Sequence, residues 1–278
     1  MKAPEVTPLD IGGLRREFPD RRIDYYPSID STMRVAAALE PGAVVLAEEQ
    51  RAGQGRHGHT WHSEAGSGIY CSMVVAPAPV LTLALGLAAQ DAILKSTGIS
   101  CDLRWPNDVM IADRKVAGIL VQLSGSKAIA GIGINVNHQS FPPELAGEAT
   151  SLSLEKMRSP WLAGESACPT PPSHGSQSGA GASACQPSQL SQPIPREPII
   201  AALLRAADEY LAYDTSAILR LFTQASSYAA GRRVEVQQPG GVIRGVTAGL
   251  NPEGFLVVRR DDGTDTLIIA GGVRAAGS

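Results

Sequence analysis

Between Ala47 and Trp61 the chain reads AEEQRAGQGRHGHTW, which sets Gly53, Gly55 and Gly58 among Gln50, Arg51, Gln54, Arg56, His57 and His59. Glycine accepts positive φ and lets a ligand approach the backbone, while arginine offers a planar fork of donors matched to carboxylate or phosphate. Following directly on the apolar run Ala43 to Ala47, the stretch reads as a strand that leaves the core into a mobile cationic loop for a small anion. The plainer alternative is a glycine-rich surface loop.

Other chemistries fit the residues less well. The three glycines satisfy G-x-G-x-x-G, but the dinucleotide fingerprint needs a helix directly afterwards and an acid about 20 residues on. Here HTWHSEAGSG follows, and Ala76 to Leu81 holds no acid. There is no G-x-x-x-x-G-K-S/T phosphate loop and no G-x-S-x-G nucleophile elbow. His57, His59 and His62 suggest metal ligands, yet no cysteine or carboxylate stands at a fitting position, so solvated loop histidines are the simpler reading.

Isolated polar residues complete the inventory. Lys115 opens KVAGILVQL either as a strand-edge charge or as a point charge aimed at a ligand, and the usual solvation of charge favours the edge. Asn107 and Asp108 are turn formers first and metal or ribose partners second. Asn135 and Asn137 share one face of GIGINVN, where buried amides need partners. Asp30, Ser31 and Thr32 precede the helical run Met33 to Leu39, either as caps or as hydroxyls and N–H groups that bind a polar ligand group.

The elements that must hold these groups alternate irregularly. GIYCSMVVAP reads as a buried strand and Pro79 to Thr97 as a helix ended by Gly98. DLRW, VMIA, KVAGILVQL and AIAGIGINVN read as strands joined by tight turns. Adjacent strands with helices set apart indicate an α+β domain with a mixed or antiparallel sheet and flanking helices. Residues 159–195 are dominated by Pro, Ser, Gly, Ala and Gln, as expected of a disordered insertion. Helical periodicity returns at Glu197, with Ile199, Ile200, Leu203, Leu204, Ala207 and Leu211 on one face, and a second helix spans Thr215 to Ala230. Beyond Gly231, the runs RVEV, VIRGVT, FLVVRR and TLIIA predict a small β-barrel over 231–278, after a larger domain over 1–230.

Composition narrows the class of protein. The 278 residues are 44% hydrophobic with a net charge of −3, which suits a globular chain and opposes a broad nucleic-acid surface, so any anion site is local. Residues 1–24 are too short for a helix-turn-helix. Cys71, Cys101, Cys168 and Cys185 are widely spaced, which fits a reduced cytoplasm. Met73 to Ala89 is uncharged but is divided by Pro77 and Pro79 and is too short to span a membrane.

Taken together, IDSTM at Ile29, AEEQRAGQGRHGHTW at Ala47, WPNDVMI at Trp105, RKVAGIL at Arg114 and GIGINVN at Gly131 resemble the successive motifs of biotin protein ligases. The resemblance covers roughly residues 23–140 and implies the class II synthetase-like biotin/lipoate ligase fold with a C-terminal SH3-like barrel. It also implies a two-step reaction, in which biotin and MgATP give biotinyl-5′-AMP and a lysine of a biotin carboxyl carrier domain, as in acetyl-CoA carboxylase, then takes the biotin.

Carried over by position, Ser31, Thr32, Met33 and Gln50 would contact the biotin head group. Gln54, Gly55, Arg56 and Lys115 would hold its carboxylate and the acyl phosphate. Arg56, His59, Trp61, Asn107 and Asn135 would face ATP. Lys115, Arg56 and Asp108 would be the catalytic set, with Asp108 beside Mg²⁺ or the incoming lysine and no protein-bound metal otherwise. Gln54 and His59 stand where the family commonly has arginine, and Met33 where it has asparagine.

The loop would then be a lid over biotinyl-AMP. The expected enzyme is cytoplasmic, a monomer or homodimer, without the DNA-binding domain of some relatives and without nucleic-acid or membrane partners. A lipoate or octanoate ligase of the same fold, or a noncatalytic carrier-binding protein, is the alternative.

Overall fold

The computed structural model describes residues 8–158, 192–238 and 240–276. A seven-stranded sheet forms its centre, from β1 (Ile23–Tyr26), β2 (Val44–Ala47), β3 (Gly68–Val75), β4 (Asp102–Arg104), β5 (Asp108–Ile111), β6 (Arg114–Ser124) and β7 (Lys127–Asn135). The order is β1-β2-β3-β7-β6-β5-β4, parallel between β1 and β2 and antiparallel elsewhere. The expected mixed α+β sheet is therefore present.

Period-two alternation divides the sheet's two faces. Val44 and Leu46, Ile69, Cys71 and Met73, and Ile132 and Ile134 join the main core. That face is covered by α1 (Ile11–Glu17), α3 (Leu81–Thr97), α4 (Leu152–Arg158), α5 (Glu197–Leu211) and α6 (Thr215–Ala225), through side chains such as Leu14, Leu85, Leu152, Ile200 and Phe222. The opposite face carries Val45, Val74 and Ile129 and packs against the short α2 (Thr32–Ala36), through Met33 and Ala36. Beside that small cluster the sheet presents Ser72, Gly118, Gly131 and Gly133, a floor low enough to admit a ligand.

One irregularity decides where the chemistry goes. Ala117 pairs with Val109 and Lys115 with Met110, so Val116 is an extra residue on β6, a bulge. Strict alternation would place Lys115 on the face opposite Gly118, three residues away. The bulge reverses it: the Lys115 Cε lies 2.7 Å from where a Cβ on Gly118 would stand.

Several expectations change. The first predicted helix closes at Ala36, and Asp10 caps α1, which the sequence reading lacked, by accepting from Gly13 N at 2.8 Å. The helix expected to reach Ala230 stops at Ala225, because Ser226 donates to the Leu103 carbonyl at 2.6 Å and redirects the chain. Gly98, in the left-handed region at φ 72°, ends α3 as expected.

The C-terminal region holds five strands: β8 (Ala230–Gln238), β9 (Gly241–Leu250), β10 (Leu256–Arg259), β11 (Asp265–Ile268) and β12 (Gly272–Ala275). They form an antiparallel sheet of order β11-β10-β9-β8-β12. Its Val234, Val236 and Leu256 join the main core, and Trp105 Nε1 donates to the Gly254 carbonyl at 3.0 Å. Of the expected insertion, 159–191 lies outside the described residues, whereas Ile194 exchanges two hydrogen bonds of 2.9 Å with the Asn137 amide. Among the described residues no helix is long and apolar enough to cross a membrane, and Met73 to Ala89 is shared between β3 and α3.

Candidate functional site

The loop after β2 is a small hairpin held by its own backbone. A bridge joins Gln54 to Thr60, Gly55 N donates to His59 O at 2.7 Å, and Trp61 N donates to Gly53 O at 2.9 Å. This geometry carries Arg56 to the tip, in a 3-10 turn over Arg56–Gly58, and returns Trp61 to the sheet. No α-helix follows, which removes the dinucleotide reading.

Trp61 lies flat on the glycine floor. A Cβ on Gly133 would stand 2.3 Å from Trp61 Cε2, and one on Gly118 would stand 3.0 Å from Trp61 Cζ3. Glycine is required at Gly133 because the indole occupies the volume of any side chain.

Loop, floor and α2 enclose a cavity lined by Ser31, Thr32, Met33, Gln50, Gln54, Gly55, Arg56, Trp61, Cys71, Asn107 and Lys115, with Gly118, Gly131 and Gly133 beneath. Its free volume is about 40 Å³. Small-molecule sites hold roughly 300–1,000 Å³, so the side chains around the cavity must shift to admit a ligand of that size.

One end of the cavity is hydroxyl-rich. Gln50 Oε1 accepts from Thr32 N at 2.9 Å and Thr32 Oγ1 at 3.0 Å, and Gln50 Nε2 donates to Ser63 Oγ at 3.0 Å. The Thr32 and Ser72 hydroxyls lie 2.8 Å apart. Ser31 occupies the N-cap position of α2, yet its side chain makes no capping bond and its Oγ is buried without a partner. The capping role expected of Ser31 is thus not used, and the hydroxyl remains available to a ligand. Asp30 does not cap either: it takes Arg51 at 3.0 Å.

The other end is cationic. Arg56 Nη1 donates to Asn107 Oδ1 at 2.9 Å, while Asn107 Nδ2 is tied to the Ile119 carbonyl at 3.0 Å. Burial lowers the Arg56 pKa, with Asp108 pulling the other way; a guanidinium remains charged in a protein. Lys115 is no solvated edge charge: Nζ sits 2.6 Å from Asp108 Oδ1 and 5.3 Å from the Trp61 ring centroid. Asp108 Oδ2 meets Arg104 at 2.7 Å. Burial raises the Asp108 pKa, but Lys115 and Arg104 together lower it further, leaving the carboxyl below its ordinary 3.8. Both oxygens are engaged by cations, so Asp108 does not fit as a free Mg²⁺ ligand.

The structure therefore gathers most of the expected residues around one cavity, with Asp108 just behind it. Two stand apart. His59 is exposed on the hairpin, and Asn135 is buried with its Nδ2 donating to the Thr150 carbonyl at 3.1 Å. Sequence reasoning missed Ser63, Ser72, Cys71 and Arg104. Ser72 and Cys71 sit in an apolar strand with no local signal, and burial pushes the Cys71 thiol up to about 12, which keeps it unreactive. The histidines also separate: His57 and His59 stay in the loop, whereas His62 lies with Glu64 and His138, correcting the expectation that no carboxylate was suitably placed.

Comparison with known proteins places these features in context. Residues 25–138 match the biotin/lipoate A/B protein ligase family, and residues 230–273 match the biotin protein ligase C-terminal domain. The chain is 39% identical over 159 residues to the bifunctional ligase/repressor BirA of Bacillus spizizenii, across 51% of this chain and 49% of that protein. It thus spans about half the length of that relative. It is 29% identical over 289 residues to the biotin–acetyl-CoA-carboxylase ligase of Mycobacterium tuberculosis, across 95% and 94% of the two chains. Among solved structures it resembles the biotin protein ligase from Aquifex aeolicus in complex with biotin and ATP, with a TM-score of 0.72 and 25% identity, covering 92% of this chain and 99% of the other.

Proposed function

This chain belongs to the biotin/lipoate A/B protein ligase family, and we propose that it joins biotin to a lysine of a biotin carboxyl carrier domain at the expense of ATP. In the first step a biotin carboxylate oxygen attacks the α-phosphorus of ATP, giving biotinyl-5′-AMP and pyrophosphate. In the second, the carrier's lysine amine attacks the acyl carbon and AMP leaves.

Two anions must meet in the first step, so fixed positive charge and preorganised donors are what the site has to supply. Arg56 and Lys115 bring that charge to one end of the cavity, and at the other Thr32, Gln50 and Ser31 offer donors and acceptors for a polar head group. Lys115 acts as an electrostatic clamp and not as the acylated residue. Trp61 and Asn107 border the side assigned to the nucleotide. Mg²⁺ arrives with ATP, since Asp108 already holds two cations. Asp108 then positions Lys115.

The observation that carries the reading is the pair of buried, unpartnered donors, Ser31 Oγ and Trp61 Nε1, in a cavity that also holds Arg56 and Lys115. Buried donors are nearly always paired, so leaving two open in a cavity that also holds two cations points to a ligand that is both hydrogen-bonding and anionic. The test is pyrophosphate release from ATP with biotin, lipoate or octanoate offered in turn. Biotin should support release and the two fatty acyl acids should not. Release with lipoate or octanoate alone, or with none of the three, overturns the proposal.

A further inference from the structure

Just past the loop the chain runs His62-Ser63-Glu64, and just past β7 it runs Asn137-His138. Val136 N and Asn137 N both donate to the Ser67 carbonyl, at 3.2 and 2.6 Å, which holds the two stretches side by side. One ligand atom from each of His62, Glu64 and His138 lies within 4.8 Å of the other two. The His138 ring is fully buried, stacked on Phe141 at 5.2 Å, with the His62 ring tilted beside it at 5.7 Å.

The nitrogens of His138 are not equivalent. The Tyr70 hydroxyl has one proton, and it donates that proton to the Glu64 carbonyl at 2.8 Å. The 3.3 Å contact between Tyr70 Oη and His138 Nε2 therefore needs the hydrogen to come from Nε2. This tautomer leaves a bare lone pair on Nδ1, which is buried and has no partner among the described residues.

We propose that His62, Glu64 and His138 form a binding site for one divalent transition-metal ion of the zinc class. Two imidazoles and a carboxylate are a zinc donor set, and imidazole favours zinc, copper, nickel or iron over magnesium or calcium. Tetrahedral ligands about 2.0–2.1 Å from zinc sit roughly 3.4 Å apart. Closing from the present separation would rotate exposed Glu64, whose Oε2 now accepts from Ser67 Oγ at 3.2 Å, and half-buried His62 toward buried His138. The Nε2–H to Tyr70 contact is the outer partner that a metal-bound imidazole characteristically keeps. Glu64 gives the ion a path from solvent and leaves a fourth position for water. Because His62 follows Trp61 directly, an ion here would fasten the end of the loop that covers the cavity. The site does not depend on which acid the cavity binds.

Metal-free full chain titrated with zinc, and separately with cobalt for its visible absorption, tests this. We expect one zinc per chain, retained in excess Mg²⁺, and cobalt bands of a tetrahedral nitrogen–oxygen site. His62→Asn and Glu64→Gln, each checked for folding by circular dichroism, should weaken zinc binding at least about tenfold. The double variant His57→Asn with His59→Asn should leave it unchanged. Absence of stoichiometric binding in the parent chain, or equal binding by the parent and a combined His62→Asn, Glu64→Gln variant, overturns the proposal. So does binding that is lost only with His57 and His59.

Discussion

Two ionic clusters in this molecule have similar partners and opposite states of completion. Around Glu48, Oε1 accepts from Leu9 N at 2.7 Å and Tyr25 Oη at 3.1 Å, and Oε2 accepts from Arg196 at 2.7 Å. Arg196 also donates to the Gly68 carbonyl at 3.1 Å. Both partners are buried, and the cluster ties the N-terminal stretch, β1, β2, β3 and the start of α5 together. Around Asp108, by contrast, one carboxylate faces two cations, Lys115 and Arg104, and the cavity in front of them holds two buried, open donors, Trp61 Nε1 and, at its hydroxyl-rich end, Ser31 Oγ. A completed buried network specifies a fold, while an incomplete one next to a cavity is strain held for a ligand.

The largest expected effect is on the completed side. Glu48→Ala takes the Glu48 carboxylate away from buried Arg196, and removing one partner of a buried pair costs about 3–5 kcal/mol. A urea unfolding midpoint reads this directly. A loss under 1 kcal/mol would break the comparison, since the Glu48 cluster would then be no more structural than the site.

Lys115→Met inverts the pattern. Asp108 keeps Arg104, so unfolding should change little, while pyrophosphate release should fall by about 10²–10³, the usual cost of removing one preorganised charge stabiliser. A large loss of stability with release intact would make Lys115 structural. Gly133→Ala is milder, because its Cβ would stand 2.3 Å from Trp61 and must displace the indole while the strand pairing survives. The KM for biotin should rise about tenfold, equivalent to about 1.4 kcal/mol. An unchanged KM would show that the place of Trp61 on the floor is irrelevant to binding.

How far this could be read from the sequence depended on whether the signal was local. The glycine–arginine hairpin was legible because residue type alone implies its chemistry, and the strands around Trp105 and Gly131 because apolar runs are bounded by turns. The orientation of Lys115 was not, since the bulge at Val116 reverses it and no residue type announces a bulge. Ser31 looked like a cap because capping is what serine before a helix usually does; only its missing bond shows otherwise. Ser63 and Ser72 reach Gln50 and Thr32 across the fold, and such pairings have no sequence spacing to reveal them. His62 and His138 are separated by most of the sheet in sequence, which hid their proximity. The strand β12 was missed because it is four residues long with a single buried side chain, Val273.

The smallest effect tests the charge balance at the site through pH. Asp108 has a folded pKa below 3.8: burial opposes ionisation, and the pairs with Lys115 and Arg104 outweigh it. A carboxyl depressed in the folded state adds stability that is fully present above its unfolded pKa and is lost as pH falls through the folded one. Asp108→Asn should therefore be less stable than the parent by a constant amount above pH about 5, and the gap should narrow below pH about 4 as Asp108 takes up its proton. His138, held down to about 3 by burial, loses its own contribution as pH falls from 6.5 toward that value, but in both proteins alike, so it cancels in the difference. Urea midpoints of the two proteins across pH 3–7 measure the gap. One that stays constant or widens toward acid would mean that Lys115 and Arg104 do not dominate the titration of Asp108, and that the balance assigned to the site is wrong.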